Sequence, residues 1–318
     1  IVAGNDIGTD SVGGVQWGIE IAVAGSTSNT IQDNRIGDAT GIGILIRANE
    51  NLVTGNRVGI DAELATGPGI PSGIALRSSN NQVTFNEIGN STFTSGITVK
   101  GSSNDINFND IGFAAGLGDV GNAGGGIRLT SESSDNLIQG NRILDNDGPG
   151  IEFNINAGFG NTIFGNSIRR NAGIGIDFLE SGNVLGPTEN DPGDGDFGSN
   201  LLMNYPEFGE AVPIPDTDPL ETVVTYRVDA DPSNQTYPIT VDFYRGERAN
   251  GYGRRDGGGL IASDSYDTPG ALKSFTLMPS VGTDWHFTAL ATDADGNTSE
   301  FAPARSLGEV LFRDGYEE

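Results

Sequence analysis

Basic residues are scarce in this sequence, yet three of them recur at equivalent places with a fourth beside them. Arg47, Arg77 and Lys100 each follow a Gly-Ile-x-aliphatic phrase (Gly43-Ile44-Leu45-Ile46, Gly73-Ile74-Ala75-Leu76, Gly96-Ile97-Thr98-Val99). Arg128 lies inside the next phrase, Gly126-Ile127-Arg128-Leu129. The chain carries 43 Asp and Glu against 17 Lys and Arg, a net charge of −26. Cations stacked on neighbouring strands repel, so an anionic partner or acidic loops should lie across them. A uronate chain of an acidic polysaccharide would suit: Arg47 and Arg77 would pair with its carboxylates, and Asn154 continues the same row. Lys100 or Arg128 would then abstract the proton beside the substrate carboxylate, Lys100 being the better base once its pKa is lowered. The plainer alternative is a solvated, salt-bridged strand face.

Two acidic groups complete the chemistry-bearing residues. Glu152 and Asp177 lie at the far end of the same face, in adjacent rows by alignment of the phrases, and could hold a metal. As a carboxylate pair one coil apart they would also fall within the ~5–10 Å used in glycoside hydrolysis; ordinary soluble strand positions are the competing reading. Asp191, Asp194 and Asp196 form a D-x-x-D-x-D cluster on a Gly-rich stretch, with Glu189 nearby. Such hard oxygen ligands suit calcium, in a spacing unlike an EF-hand, or else an acidic capping loop. Asp293, Asp295, Asn297 and Glu300 are a second oxygen cluster, although Asp295-Gly296 reads first as a hairpin turn. Tyr244, Tyr252, Arg254 and Arg255 could make a sugar platform. His286 is the only histidine and there is no cysteine, so no multi-His or thiolate centre can be built.

These residues must be positioned by short strands. The phrase Asn-x-Ile/Val-x-x-Asn-x-Ile/Val begins at Asn29, Asn51, Asn81, Asn104, Asn136 and Asn161, at intervals of 22, 30, 23, 32 and 25 residues by subtraction. A truncated copy with Val2, Asn5 and Ile7 opens the chain, which reads as a processed or truncated end at Ile1. Irregular periods of this length mark a solenoid. The Gly-Ile phrases alternate apolar residues at period two, so each repeat holds at least two half-buried strands and no helix. Equivalent strands recurring that far apart stack in parallel on the next coil, which defines a parallel β-helix. Asn34, Asn56, Asn86, Asn109, Asn141 and Asn166 then lie in one amide ladder, roughly 4.8 Å apart. The longer intervals bulge out as loops at 60–72 and 112–125, expected to frame the basic row if it is a site.

These repeats resemble the right-handed parallel β-helix repeat of pectate-lyase-like secreted bacterial proteins, over residues 1 to about 206. The opening Gly4-Asn5-Asp6-Ile7-Gly8-Thr9-Asp10 is similar to that of a subgroup of long bacterial surface proteins. The resemblance implies the fold and a secreted or surface setting. In the enzymes of that superfamily, acidic side chains hold calcium against the substrate carboxylate while a basic residue removes the proton. The clustered Asp trio that marks the lyase site is absent from the rows above.

The remainder reads differently. The expected organisation is a right-handed parallel β-helix at 1–206, a Pro-rich linker at 207–219 and an antiparallel β-sandwich at 220–305, ending in a tail at 306–318. Runs at 223–228, 239–244, 260–265, 272–278 and 285–291 supply the strands of the sandwich. The stretch Ala291 to Phe301 resembles the last hairpin of bacterial immunoglobulin-like modules. The tail Leu311-Phe312-Arg313-Asp314-Gly315-Tyr316-Glu317 resembles a short C-terminal sequence of some secreted proteobacterial proteins. Hydrophobic residues make up 36% and Gly accounts for 49 positions, as strands and turns require. The acidity argues against nucleic acid, and no stretch approaches the ~20 apolar residues of a membrane span. Two functions stand side by side: binding, with lyase-type cleavage as one branch, of an acidic polysaccharide; or a non-catalytic structural or adhesive surface module that meets cell-surface components.

Overall fold

In the computed structural model, residues 1–8, 15–23, 25–60, 69–179, 184–217, 221–246, 255–278 and 286–306 are described. Each Asn phrase yields two strands instead of one, because the chain turns a corner in the middle of it. Thr30–Gln32 and Arg35–Ile36 are separate strands, and the same split recurs in the coils that follow. The residue just before the second Asn carries the corner with a positive φ: Asp33 54°, Gly55 65°, Phe85 56°, Phe108 57°, Gly140 65° and Gly165 64°. Glycine takes that conformation freely, whereas the other residues are held there at a cost.

With the Gly-Ile strand, each coil therefore has three strands, forming three stacks. The first sheet runs from Val2–Ala3 to Thr162–Phe164, the second from Asp6–Ile7 to Ser167–Arg169, and the third from Val15–Ile21 to Ile176–Phe178. All neighbours within these stacks are parallel, so the expected β-helix is the observed fold. Register is one to one: Ile31, Val53, Val83, Ile106, Ile138 and Ile163 form a single inward row, all buried. β-Branched side chains suit such a pleated, close-packed interior. The glycine of each Gly-Ile phrase admits the next coil: a Cβ on Gly73 would lie 2.2 Å from the Gly96 carbonyl oxygen.

Amide ladders tie the coils at their corners. Asn34 donates its backbone N–H and its Nδ2 to Oδ1 of Asn56, which donates both groups to Asn86, and so on to Asn109, Asn141 and Asn166. A parallel ladder links Asn29, Asn51, Asn81, Asn104, Asn136 and Asn161. A third, which the repeat phrase does not reveal, joins Ser91, Asn122, Asn146 and Asn171. These carboxamides satisfy corner amides that no strand can reach.

At its C-terminal end the solenoid runs directly into a sandwich. The second sheet continues from Ser167–Arg169 into Gly257–Tyr266, antiparallel, and then into Ile239–Gly246, His286–Thr292 and Arg305–Ser306. A three-stranded antiparallel sheet packs against it, with Val224, Tyr226, Val241, Phe243 and Phe287 between them. The stretch expected to be a stiff linker is partly strand: Glu207–Pro213 pairs with Thr222–Arg227, bulged between Phe208 and Ala211. Its prolines mislead because Pro213 ends an edge strand, where a missing N–H breaks no ladder. The tail beyond Ser306 lies outside the described residues.

Sandwich residues close the open face of the last coils. Asn297 Oδ1 accepts from Gly160 N–H, Thr298 Oγ1 from Ile163, Tyr244 OH from Gly165, and Glu300 Oε1 from Phe178. Asn200 terminates the ladder that begins at Asn29, accepting from Asn161 and donating to the Thr298 carbonyl. Tyr244, Leu290 and Phe301 belong to the same apolar cluster as the coil interior. No helix among the described residues is long and apolar enough to cross a membrane.

Replacing a mid-ladder amide strands donors on one coil and acceptors on the next. Asn109→Ala should destabilise the protein by about 2–4 kcal/mol in urea unfolding. Asn29→Ala, half-buried near the start of a ladder where water can substitute, should cost less than about 1 kcal/mol.

Candidate functional site

The outer face of the third sheet carries two rows that strand pairing fixes. One reads Glu20, Leu45, Ala75, Thr98, Arg128, Glu152, Asp177. The other follows from backbone bonds one coil apart and reads Arg47, Arg77, Lys100, Thr130, Asn154, Leu179. Asp177 thus stands beside Glu152 in one row, not in the adjacent one as alignment of the phrases suggests. The stretch Gly173-Ile174-Gly175-Ile176 offers two overlapping registers. The edge-on packing of Phe178 against Phe153, 4.9 Å between centroids, belongs to the one in which Ile176 follows Ile151.

Arg47, Arg77 and Lys100 line one open groove of about 800 Å³, whose walls include Trp17, Thr94, Thr98 and Thr130. Arg47 Nε meets Glu20 Oε1 at 2.9 Å. Arg77 and Lys100, one coil apart and exposed, form no ion pair among the described residues. Arg128 is not with them: its Nε faces Glu152 Oε1 at 2.8 Å, outside hydrogen-bond alignment. Asn154 lies past the end of the groove, where its carbonyl accepts from Ser199 Oγ.

The framing loops differ from expectation. The 112–125 segment forms a hairpin, Phe113–Ala114 with Gly118–Asp119, that covers the second sheet instead. There Arg142 stacks 4.5 Å from the Phe113 centroid, and Ala115 N–H donates to Glu87. Within 60–72, Pro71 and Ser72 line the groove, and residues 61–68 lie outside the described residues.

Three carboxyls crowd where this face meets the sandwich. Asp177 is 1% exposed and Glu152 8%, so neither presents an open oxygen as a hydrolase pair would. Burial pushes the Asp177 carboxyl up to about 7, partly opposed by the Gly186 N–H and reinforced by the charge of Glu152. Burial also raises Glu152, against the pull of Arg128, and lifts Glu300 to about 8 against two backbone donors. Arg255 Nη1 stands 3.9 Å from Glu300 Oε2. Sequence reasoning missed this junction because its partners lie more than a hundred residues apart. The expected sugar platform is also overturned: Tyr244 and Arg255 are buried, bonding Gly165 and Tyr205. Tyr252 and Arg254 lie outside the described residues.

Asp191, Asp194 and Asp196 do converge, well away from the groove, each with an oxygen within 4.8 Å of the others. Asp293 Oδ1 accepts from Asp295 and Asn297 N–H, so the second oxygen cluster is the turn.

Residues 69–190 match the family model described as a right handed beta helix region. No curated protein matches the chain. Among solved structures it is similar to the enzymatically active domain of tailspike protein 2 from bacteriophage CBA120, at 12% identity and a TM-score of 0.40, over 96% of this chain and 63% of that one. Full-length tailspike protein 2 from an Escherichia coli O157:H7 bacteriophage is similar at 14% identity and a TM-score of 0.33, over 86% of this chain and 51% of that one. The chain therefore spans less than two thirds of the length of either tailspike.

Asp177 gives the junction a pH dependence. Its folded pKa of about 7 lies above the ordinary 3.8, so between those values the folded chain keeps a proton that the unfolded chain has released. The stability contributed is full below about pH 4 and is lost as pH rises through about 7. Calorimetry should show the melting temperature falling by a few degrees, on the order expected for ~1–2 kcal/mol, from about pH 5 to 8. Asp177→Asn should remove the part of the fall that lies between about pH 4 and 7.

Proposed function

We propose that the solenoid binds an acidic polysaccharide along the groove of the third sheet, with Arg77 and Lys100 as the groups that meet its carboxylates. The carrying observation is that these two cations lie one coil apart in a single open groove, with no ion pair among the described residues, in a chain of net charge −26. Strand spacing sets their separation near ~4.8 Å, so an extended polymer can lie across the coils and meet both. Trp17 supplies a flat apolar wall against which a sugar face can pack, and Thr98 and Thr130 add hydroxyls. Arg47 joins them while shared with Glu20.

Cleavage by elimination is the finer reading. Its base would be Lys100, because Arg128 is held by Glu152. Glu152 and Asp177 are too buried to serve as an acid pair on a substrate in the groove. An extracellular or cell-surface setting, where such polymers occur, goes with this function.

Titration calorimetry with polygalacturonate, alginate and hyaluronan, with dextran as the uncharged control, tests the reading. At least one acidic polymer should bind, more weakly as salt rises. Arg77→Ala and Lys100→Ala should each weaken it by fivefold or more, and Arg142→Ala, on another sheet, should not. Equal affinity in all three variants, or no binding of any acidic polymer, would overturn the proposal. New unsaturated-uronate absorbance that disappears in Lys100→Ala would add catalysis to binding.

A further inference from the structure

The loop that leaves the solenoid folds its acids inward. Positive φ at Gly193 (74°) and Asp194 (55°) turns the chain sharply, bringing Asp191, Asp194 and Asp196 together with one oxygen each inside a 4.8 Å span. Oxygens on opposite sides of a calcium ion, at 2.3–2.6 Å each, are about 4.6–5.2 Å apart, so one ion can touch all three. An all-protein oxygen set of this kind suits calcium, whereas magnesium dehydrates reluctantly and keeps several waters.

An exposed acidic cluster would mean little, but this one has a buried floor. Asp194 is 1% exposed; its Oδ1 accepts from Asn204 N–H, while Oδ2 is buried and accepts no hydrogen bond of normal geometry. Gln235, 3% exposed, lies against the Asp194 carboxyl, and its Oε1 is likewise buried without a hydrogen-bond partner. A half-turn of the carboxamide exchanges its oxygen and nitrogen, which aims a neutral hard oxygen at the acids. Buried oxygens without donors are costly, and a bound cation is what compensates them.

We infer that Asp191, Asp194 and Asp196, with the side-chain oxygen of Gln235, form a calcium site at the seam between the solenoid's exit loop and the sandwich. The seam is already laced by hydrogen bonds. Asn204 Nδ2 donates to the Asp191 and Asp229 carbonyls, and Asp231 N–H and Asn234 Nδ2 donate to the Gly193 carbonyl. An ion held from both sides would lock the exit loop to the residues around Gln235. This is separate from the groove, whose glycan binding can be measured in chelator.

The test is calcium titration calorimetry on the full chain after chelator treatment, with thermal unfolding in calcium and in chelator alongside. One saturable calcium per chain is expected, with a higher melting temperature in calcium. Asp194→Asn, close in shape to the native residue, should weaken binding tenfold or more and erase the thermal shift. Asp191→Asn, less buried, serves the same purpose should Asp194→Asn fail to fold, and Gln235→Met should weaken binding at least threefold. Absence of saturable binding would overturn the site, as would affinity unchanged in both Asp191→Asn and Asp196→Asn. Magnesium binding as tight as calcium would overturn the assignment of the ion.

Discussion

Coil-to-coil hydrogen bonding through asparagine is the constraint on which this molecule depends. A solenoid corner presents backbone N–H groups that point along the axis with no strand opposite them, and burying them unsatisfied would cost more than the apolar interior returns. One carboxamide per corner accepts from the neighbouring coil's N–H and side chain while donating onward. Every coil must then hold its corner in the same left-handed conformation. That is why Phe85 and Phe108 are kept there at a cost, their rings stacked 5.4 Å apart on the surface.

The same lattice makes the outer face a ruler. Once coils are locked in register, whatever stands in a row stands there at strand spacing and cannot drift away to relieve repulsion. Two solutions to this crowding of charge coexist on the third sheet. In one row opposite charges meet, Arg128 against Glu152; in the other Arg77 and Lys100 stay open, with no ion pair among the described residues. The contrast between these neighbouring rows, more than the presence of basic residues, distinguishes the groove from a merely soluble face.

Much of this was legible in the sequence. Asn-x-Ile phrases and Gly-Ile pairs announce coils because inward rows and corner amides tolerate few other residues, and the Arg47–Arg77–Lys100 row follows from aligning them. Legibility failed where alignment was degenerate or contacts were distant. Gly173 to Ile176 offered two registers, and the packing of Phe178 on Phe153 and the bond from Asn146 to Asn171 select one of them. The ladder of Asn122, Asn146 and Asn171 lies outside the Asn-x-Ile phrase, four residues before the glycine of the Gly-Ile strand in each coil. Glu300 and Arg255 looked like hairpin and loop residues, since nothing local says that they close a coil made 122 and, by subtraction, 80 residues earlier. The prolines of 207–219 signalled stiffness, but stiffness serves an edge strand as well as a linker.

The closure of the last coil by Asn297, Thr298 and Glu300 bears on how the protein is made. A solenoid can form coil by coil as it leaves the ribosome, since each turn needs only its predecessor. Here the groups that satisfy Gly160, Ile163 and Phe178 are synthesised well over a hundred residues later. Until then the newest coil displays bare strand edges and a slice of open core, the kind of surface that recruits another chain. The sandwich is thus a delayed stopper, and the hazardous interval in the life of this protein is the time taken to translate from the last coil to Glu300.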